Sequence, residues 1–100
     1  MLCSLFHQRM IAIKFFASFR DIVGRKEMDV EYRHGMTLGE LLRDLCSASE
    51  SLEKACFEDG QLRDYVKFLV NGHNIAFLNG LETVLKDRDV IAVFPPVAGG

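Results

Sequence analysis

Neither a G-x-S-x-G nucleophile elbow, nor a P-loop, nor a dinucleotide-type glycine fingerprint occurs anywhere in these 100 residues. Histidine is scarce, and His7, His34 and His73 lie near an end or near turns with no ligand spacing between them, which argues against a metal site. Cysteine is equally sparse. Cys3, Cys46 and Cys56 make an odd number with no C-x-x-C pair, which argues against a disulfide framework or a zinc site. Cys46 and Cys56 read instead as small buried hydrophobes in a reducing cytosol. No sign of charge dominates: 12 Lys and Arg stand against 14 Asp and Glu, so no basic excess points to nucleic acid or anionic lipid. The longest apolar run falls well short of the ~18 residues of a membrane span. The opening MLCSLFHQR is too short and broken for a secretory signal. These absences point away from an autonomous enzyme and towards a cytoplasmic protein that binds neither metal, nucleic acid nor membrane.

What is present is an ordinary globular composition, 49% apolar and 26% charged, in a length that builds one core. Met10 opens a strand pattern, so residues 10–95 are expected to form the domain. Residues 1–9 are then an extension, either disordered or preceding an alternative start at Met10, and residues 96–100 a flexible tail. Ile11, Ile13 and Phe15 alternate with Ala12, Lys14 and Phe16, the period of a strand. Ser18 to Gly24 suits a short helical turn, and Glu27 to Tyr32 alternates again with Met28, Val30 and Tyr32 on one face. Thr37 and Glu40 form a capping box, followed by Leu38, Leu41, Leu42 and Leu45 on one helical stripe. After a break near Ser47 to Ser49, Leu52, Ala55 and Cys56 continue as a shorter helix that Asp59-Gly60 stops. Val66 to Val70 reads as a strand, Asn71-Gly72 as a two-residue hairpin turn and His73 to Ile75 as its short return. Further turns are expected at Asn79-Gly80 and Asp87 to Asp89, and a last strand over Val90 to Phe94. The pattern predicts an α+β fold with strands packed on one main amphipathic helix, without fixing strand order.

The sequence ends Phe94-Pro95-Pro96-Val97-Ala98-Gly99-Gly100. The two prolines remove backbone donors and stiffen the exit from the last strand. Two terminal glycines carry no side chain, so a narrow pocket of another protein can close over them. Five or six extended residues reach ~20 Å, enough to enter a neighbour's active site while the domain stays outside. If Ile11, Ile13, Phe15, Ile91 and Val93 face the core, then Phe16 and Phe94 face outward near this tail and suggest a partner surface. The competing reading is that Ser18 to Gly24 covers Phe16, or that the tail covers Phe94.

Val93-Phe94-Pro95-Pro96-Val97-Ala98-Gly99-Gly100 resembles the terminus of the small subunit of molybdopterin synthase, the MoaD-type sulfur carriers. Ile11-Ala12-Ile13-Lys14-Phe15-Phe16-Ala17 resembles their first strand, and Leu69-Val70-Asn71-Gly72 and Leu85-Lys86-Asp87-Arg88-Asp89-Val90 also fit. The resemblance implies a ubiquitin-like β-grasp fold, a mixed sheet packed on one main helix plus short helical segments. It implies that the Gly100 carboxylate, with Gly99 beside it, is adenylated and then converted to a thiocarboxylate. The implied partners are an adenylyltransferase related to ubiquitin-activating enzymes, a sulfur donor, and the large synthase subunit, where sulfur passes to a pterin precursor. ATP and magnesium are then used by the activating partner, no cofactor is bound by this chain, and activity exists only with the large subunit. Phe16, Phe94, Pro95, Pro96, Val97 and Ala98 match the family's partner contacts.

Arg88 stands where the family often has glycine, a departure expected to change only turn geometry. The same tail suits a ubiquitin-like modifier conjugated to lysines, or a sulfur carrier for transfer RNA thiolation. A β-grasp interaction module with an inert tail is the alternative of another class.

Overall fold

Met10–Phe15 forms strand β1, and its alternation sets the orientation of everything that follows: Ile11, Ile13 and Phe15 are buried and Lys14 is exposed. The structure, a computed structural model, describes residues 9–63 and 66–95. After β1 comes helix α1 (Ser18–Val23), which buries Phe19 and ends at Gly24 in the left-handed region. Strand β2 (Glu27–Glu31) returns antiparallel to β1, with Ile13 opposite Met28 and Ile11 opposite Val30. Half-buried Met28 and Val30 therefore share the core face, as the alternation predicts.

Helix α2 (Leu38–Ala48) begins with the expected reciprocal cap. The Glu40 amide donates to Thr37 Oγ1 at 3.2 Å, and the Thr37 amide donates to Glu40 Oε1 at 3.0 Å. These bonds satisfy donors that a helix start otherwise leaves unpaired. Leu38, Leu41, Leu42 and Cys46 are buried, and Leu45 packs at the core's margin. Gly39 lies so near the Gly80–Glu82 turn that a Cβ there would sit 3.1 Å from the Leu81 carbonyl oxygen, so glycine permits the close approach.

Ser49 ends α2 and caps α3 (Glu50–Cys56), its hydroxyl accepting from the Leu52 amide at 3.2 Å. The predicted break is thus one residue wide. Asp59-Gly60 does more than stop a helix. It is the turn of a small hairpin between β3 (Phe57–Glu58) and β4 (Gln61–Leu62), with φ of 55° and 80° at its two residues. Asp-Gly offers the positive φ that a two-residue hairpin needs, so the same chemistry that marks Asn71-Gly72 operates here.

Strand β5 (Lys67–Val70) turns through Asn71-Gly72 into β6 (His73–Asn74). The return is shorter than the expected His73 to Ile75, because the Asn74 side chain accepts from the Ala76 amide at 2.8 Å and starts a 3-10 turn at Ile75–Phe77. A second 3-10 turn covers Gly80–Glu82, and β7 (Val90–Phe94) closes the fold. The five-stranded sheet runs β2-β1-β7-β5-β6, with β1 and β7 parallel in the middle and the other neighbours antiparallel. A mixed sheet of this order with α2 across one face is the ubiquitin-like β-grasp. Ile11, Ile13, Phe15, Phe68, Val70, Ile91 and Val93 meet α2 in a single core.

Candidate functional site

β7 delivers the tail. Its alternation buries Ile91 and Val93 against the core and leaves Val90, Ala92 and Phe94 half-buried on the opposite face, as the strand period predicts. By register, that face also holds Ala12 beside Val90, Lys14 and Leu69 flanking Ala92, and Lys67 beside Phe94. Helices α2 and α3 bury Leu38, Leu41, Leu42, Leu52 and Cys56 in the core on the other side. The sheet therefore has one filled face and one face that carries no helix among the described residues, apolar along β7 and flanked by Lys14, Lys67 and the outward Glu27, Asp29 and Glu31 of β2.

Phe16 and Phe94 meet on that open face. Their rings stack with centroids 4.4 Å apart and planes 10° from parallel. Backbone pairing brings them together: Phe15 lies opposite Val93, and the Phe16 amide donates to the Val93 carbonyl at 3.1 Å, adding one more rung beyond β1. Each ring covers the other, which explains why both are only half-buried. The Ser18 to Gly24 segment does not cover Phe16 as its stacking partner; it turns inward to bury Phe19. A stacked aromatic pair contributes about 0.5–1.5 kcal/mol beyond the area it buries.

The chain turns sharply after Phe16. Ala17 has φ 52° and ψ −125°, and the Phe19 amide donates to the Phe16 carbonyl at 3.1 Å. That backbone region is ordinarily left to glycine and costs on the order of 1–3 kcal/mol. The surrounding pairing holds it, and with it the direction in which Phe16 leaves the sheet. Sequence reasoning did not find this turn, since alanine carries no signal for positive φ.

Pro95 follows at half-burial and ends the described chain. Pro96, Val97, Ala98, Gly99 and Gly100, all named from the sequence as tail or reactive residues, lie outside the described residues. Of the expected partner contacts, the structure thus brings together Phe16, Phe94 and Pro95 at the tail's root.

At the other end of β7, a polar latch fixes the strand's start. Asn71, itself at φ 53°, donates through Nδ2 to Asp89 Oδ1 at 2.8 Å, and its Oδ1 accepts from the Val90 amide at 2.9 Å. Asp89 is buried, and its Oδ2 accepts from the Lys86 amide at 2.8 Å. Arg88 occupies φ 73°, so the turn keeps the left-handed geometry that glycine would favour. Arg88 itself adopts the left-handed φ, beside the Asn71–Asp89 latch.

Among the other candidates, Cys46 and Cys56 are buried free thiols, and Cys3 lies outside the described residues. Burial pushes the Cys46 thiol up to about 11, helped by the Glu53 carboxylate. Burial pushes Cys56 up to about 12, with Cys46 adding and Arg63 opposing. Thiols held this far from ionisation are poor nucleophiles. His34 and His73 are exposed, and His7 lies outside the described residues. No cluster of three His, Cys, Asp or Glu able to hold a metal occurs among the described residues, nor does any helix among them have the length and apolarity to cross a membrane. Phe77, 86% exposed, and Val84 are apolar surface residues that no sequence period singles out.

The family model described as the ThiS family matches residues 13–100. Small archaeal modifier protein 3 of Haloferax volcanii is 39% identical over 90 residues, spanning 90% of this chain and 98% of that protein. The solution structure of small archaeal modifier protein 1 from Methanosarcina acetivorans superposes with a TM-score of 0.80 at 35% identity, covering 94% of this chain and 99% of the other. A Pyrococcus furiosus protein described as a candidate subunit 1 of molybdopterin converting factor superposes with a TM-score of 0.72 at 31% identity, over 89% and 99% of the two chains.

Proposed function

Because this chain belongs to the ThiS family of ubiquitin-like sulfur carriers, we propose that it serves as the small subunit of molybdopterin synthase, carrying sulfur as a thiocarboxylate on Gly100. The observation that carries this reading is the stacked Phe16–Phe94 pair, on a sheet face that carries no helix among the described residues, at the start of Pro95-Pro96-Val97-Ala98-Gly99-Gly100. The aromatic pair and sheet face dock the partner, and the small-residue tail reaches into its pocket. Likeness to the Pyrococcus furiosus protein supports the molybdopterin branch.

The chemistry needs little from this chain beyond an accessible end. A carboxylate is a poor electrophile, so the activating partner joins a Gly100 oxygen to the α-phosphorus of ATP and releases pyrophosphate. Magnesium on the partner neutralises the phosphate charge. Sulfur at the sulfide level, HS⁻ released by the sulfur donor, then attacks the acyl carbon, its proton is lost, and AMP leaves, taking that oxygen. The resulting thiocarboxylate sulfur attacks a carbon of the pterin precursor within the large subunit and displaces an oxygen substituent from it; water then cleaves the acyl carbon–sulfur bond, leaving sulfur on the pterin and regenerating the Gly100 carboxylate. No side chain of this protein performs a bond-making step in that scheme, and ATP and magnesium are bound by the partner alone.

Intact-mass measurement on protein made in its own host tests the reading. The expected product has one terminal oxygen replaced by sulfur, and it converts the pterin precursor when mixed with the large subunit. The 39% identity to a small archaeal modifier favours a second reading, in which activated Gly100 is joined to lysines of other proteins. Branched Gly100–lysine peptides without thiocarboxylate would establish that fate and overturn the sulfur-transfer proposal.

A further inference from the structure

Charge around the tail's root is arranged unlike the molecule's net charge. The chain as a whole is acidic by two charges. Yet an open depression of about 620 Å³ beside the aromatic pair is lined by Lys14, Arg20, Arg25 and Lys26 together with Phe15, Phe16 and a single carboxylate, Glu27. All four cationic residues are exposed, and none forms an ion pair among the described residues. Lys67 adds a cation on the other side of Phe94, opposite it in the β5–β7 register. Along β2 the sign reverses: Asp29 and Glu31 are exposed, and Glu31 pairs with Met10 at the far end of β1. Exposed Arg9 and Arg88 also lie at that end, where the Arg88 amide donates to the Met10 carbonyl and the Tyr32 amide to the Arg9 carbonyl, so the root end is distinguished by four clustered cations around a single carboxylate.

We propose that this cationic rim docks an acidic segment of the protein that receives the tail, with Phe16 and Phe94 as the apolar anchor at its centre. The inference rests on the tail-insertion reading above and adds the chemistry of the partner's surface. Its support is charge complementarity and continuity with the aromatic pair. Single exposed ion pairs contribute little static affinity. A cluster of one sign beside a low-dielectric apolar face instead steers encounter and suppresses wrong orientations.

The test is an NMR titration of the full-length chain with an octapeptide of aspartate and glutamate around one central phenylalanine, paralleled by a single-stranded RNA oligonucleotide of equal charge. Peptide-induced shifts are expected at Lys14, Phe16, Arg20, Arg25, Lys26 and Phe94, with affinity falling about tenfold as salt rises from low to physiological strength. The double change Arg20→Glu/Lys26→Glu should abolish them, and Arg20→Lys/Lys26→Arg should retain them. An unchanged amide spectrum elsewhere reports that the double variant is folded. Absence of peptide binding, shifts centred on Phe77 and Val84, or tighter binding of the RNA would each overturn the proposal. Removal of Gly99 and Gly100 should leave the titration unchanged, so an inert tail and an unused rim are read separately.

Discussion

Single residues carry most of the local strain in this fold, and two of them make measurable statements. Arg88 sits at φ 73° in the turn before β7, where only glycine is free of Cβ conflict. Left-handed backbone costs a non-glycine residue about 1–2 kcal/mol, and added glycine entropy in the unfolded chain returns roughly 0.4–1 kcal/mol of that. Arg88→Gly should therefore stabilise the domain by about 0.5–1 kcal/mol, seen as a higher urea midpoint at unchanged slope. The buried thiols make the second statement. Both have pKa values raised above 9.0, to about 11 for Cys46 and about 12 for Cys56, chiefly by burial. An acid whose folded pKa is raised favours the folded state fully below its unfolded pKa. That contribution is lost as pH rises through the window from about 9 to about 12. Unfolding stability should fall with pH across this window more steeply than in a Cys46→Ala/Cys56→Ala variant, compared by urea titration at several pH values. Equal slopes would mean that the thiols are not protected as described.

At the scale of elements, the aromatic pair links strand geometry to recognition. Phe16 extends β1 and Phe94 ends β7, so the pair exists only because the two strands run parallel in register. A double-mutant cycle on Phe16→Ala and Phe94→Ala should give a coupling of about 0.5–1.5 kcal/mol in stability. Phe94→Ala should weaken partner binding more than it lowers stability, because the ring covers an outer face and fills no core space. A large stability loss with normal binding would make Phe94 a core residue instead. Much of this arrangement was legible beforehand. Alternation in Ile11–Phe15 and Ile91–Val93 fixed which side each phenylalanine takes, and the Thr37–Glu40 cap and leucine stripe fixed α2. The stacking itself was hidden, because it depends on pairing β1 with β7 across the whole length of the domain. The Asn71–Asp89 latch was hidden for the same reason: it joins two turns distant in sequence. The small β3–β4 hairpin was missed where a turn signal was read only as a helix stop. The cationic rim needed Lys14 on β1 and Arg20, Arg25 and Lys26 beyond it to be folded around one depression, which periodicity alone does not supply.

For the whole molecule, the core packing of β7 and the proposed site of recognition sit at different places along the strand. Its core contacts are complete at Val93, which is buried against Phe68 and Phe15 in the shared cluster, and its latch lies at Asp89 and Val90. Because β1 and β7 form the parallel centre of the sheet, the fold needs both ends of the domain before any part of its core is enclosed. A chain ending before Val90 should therefore fail to fold. Removal of Gly99 and Gly100 should instead shift the melting temperature by less than ~2 °C, corresponding to under ~0.5 kcal/mol for a domain of this size. The same truncation should abolish acyl-adenylate formation with the activating enzyme, measured by ATP–pyrophosphate exchange. Retained exchange would mean that the activated group lies elsewhere, and a fall in melting temperature of several degrees would mean that the tail belongs to the core. Only a tail that is thermally silent and chemically essential fits the proposed role, in which the domain holds out its end for another protein to use.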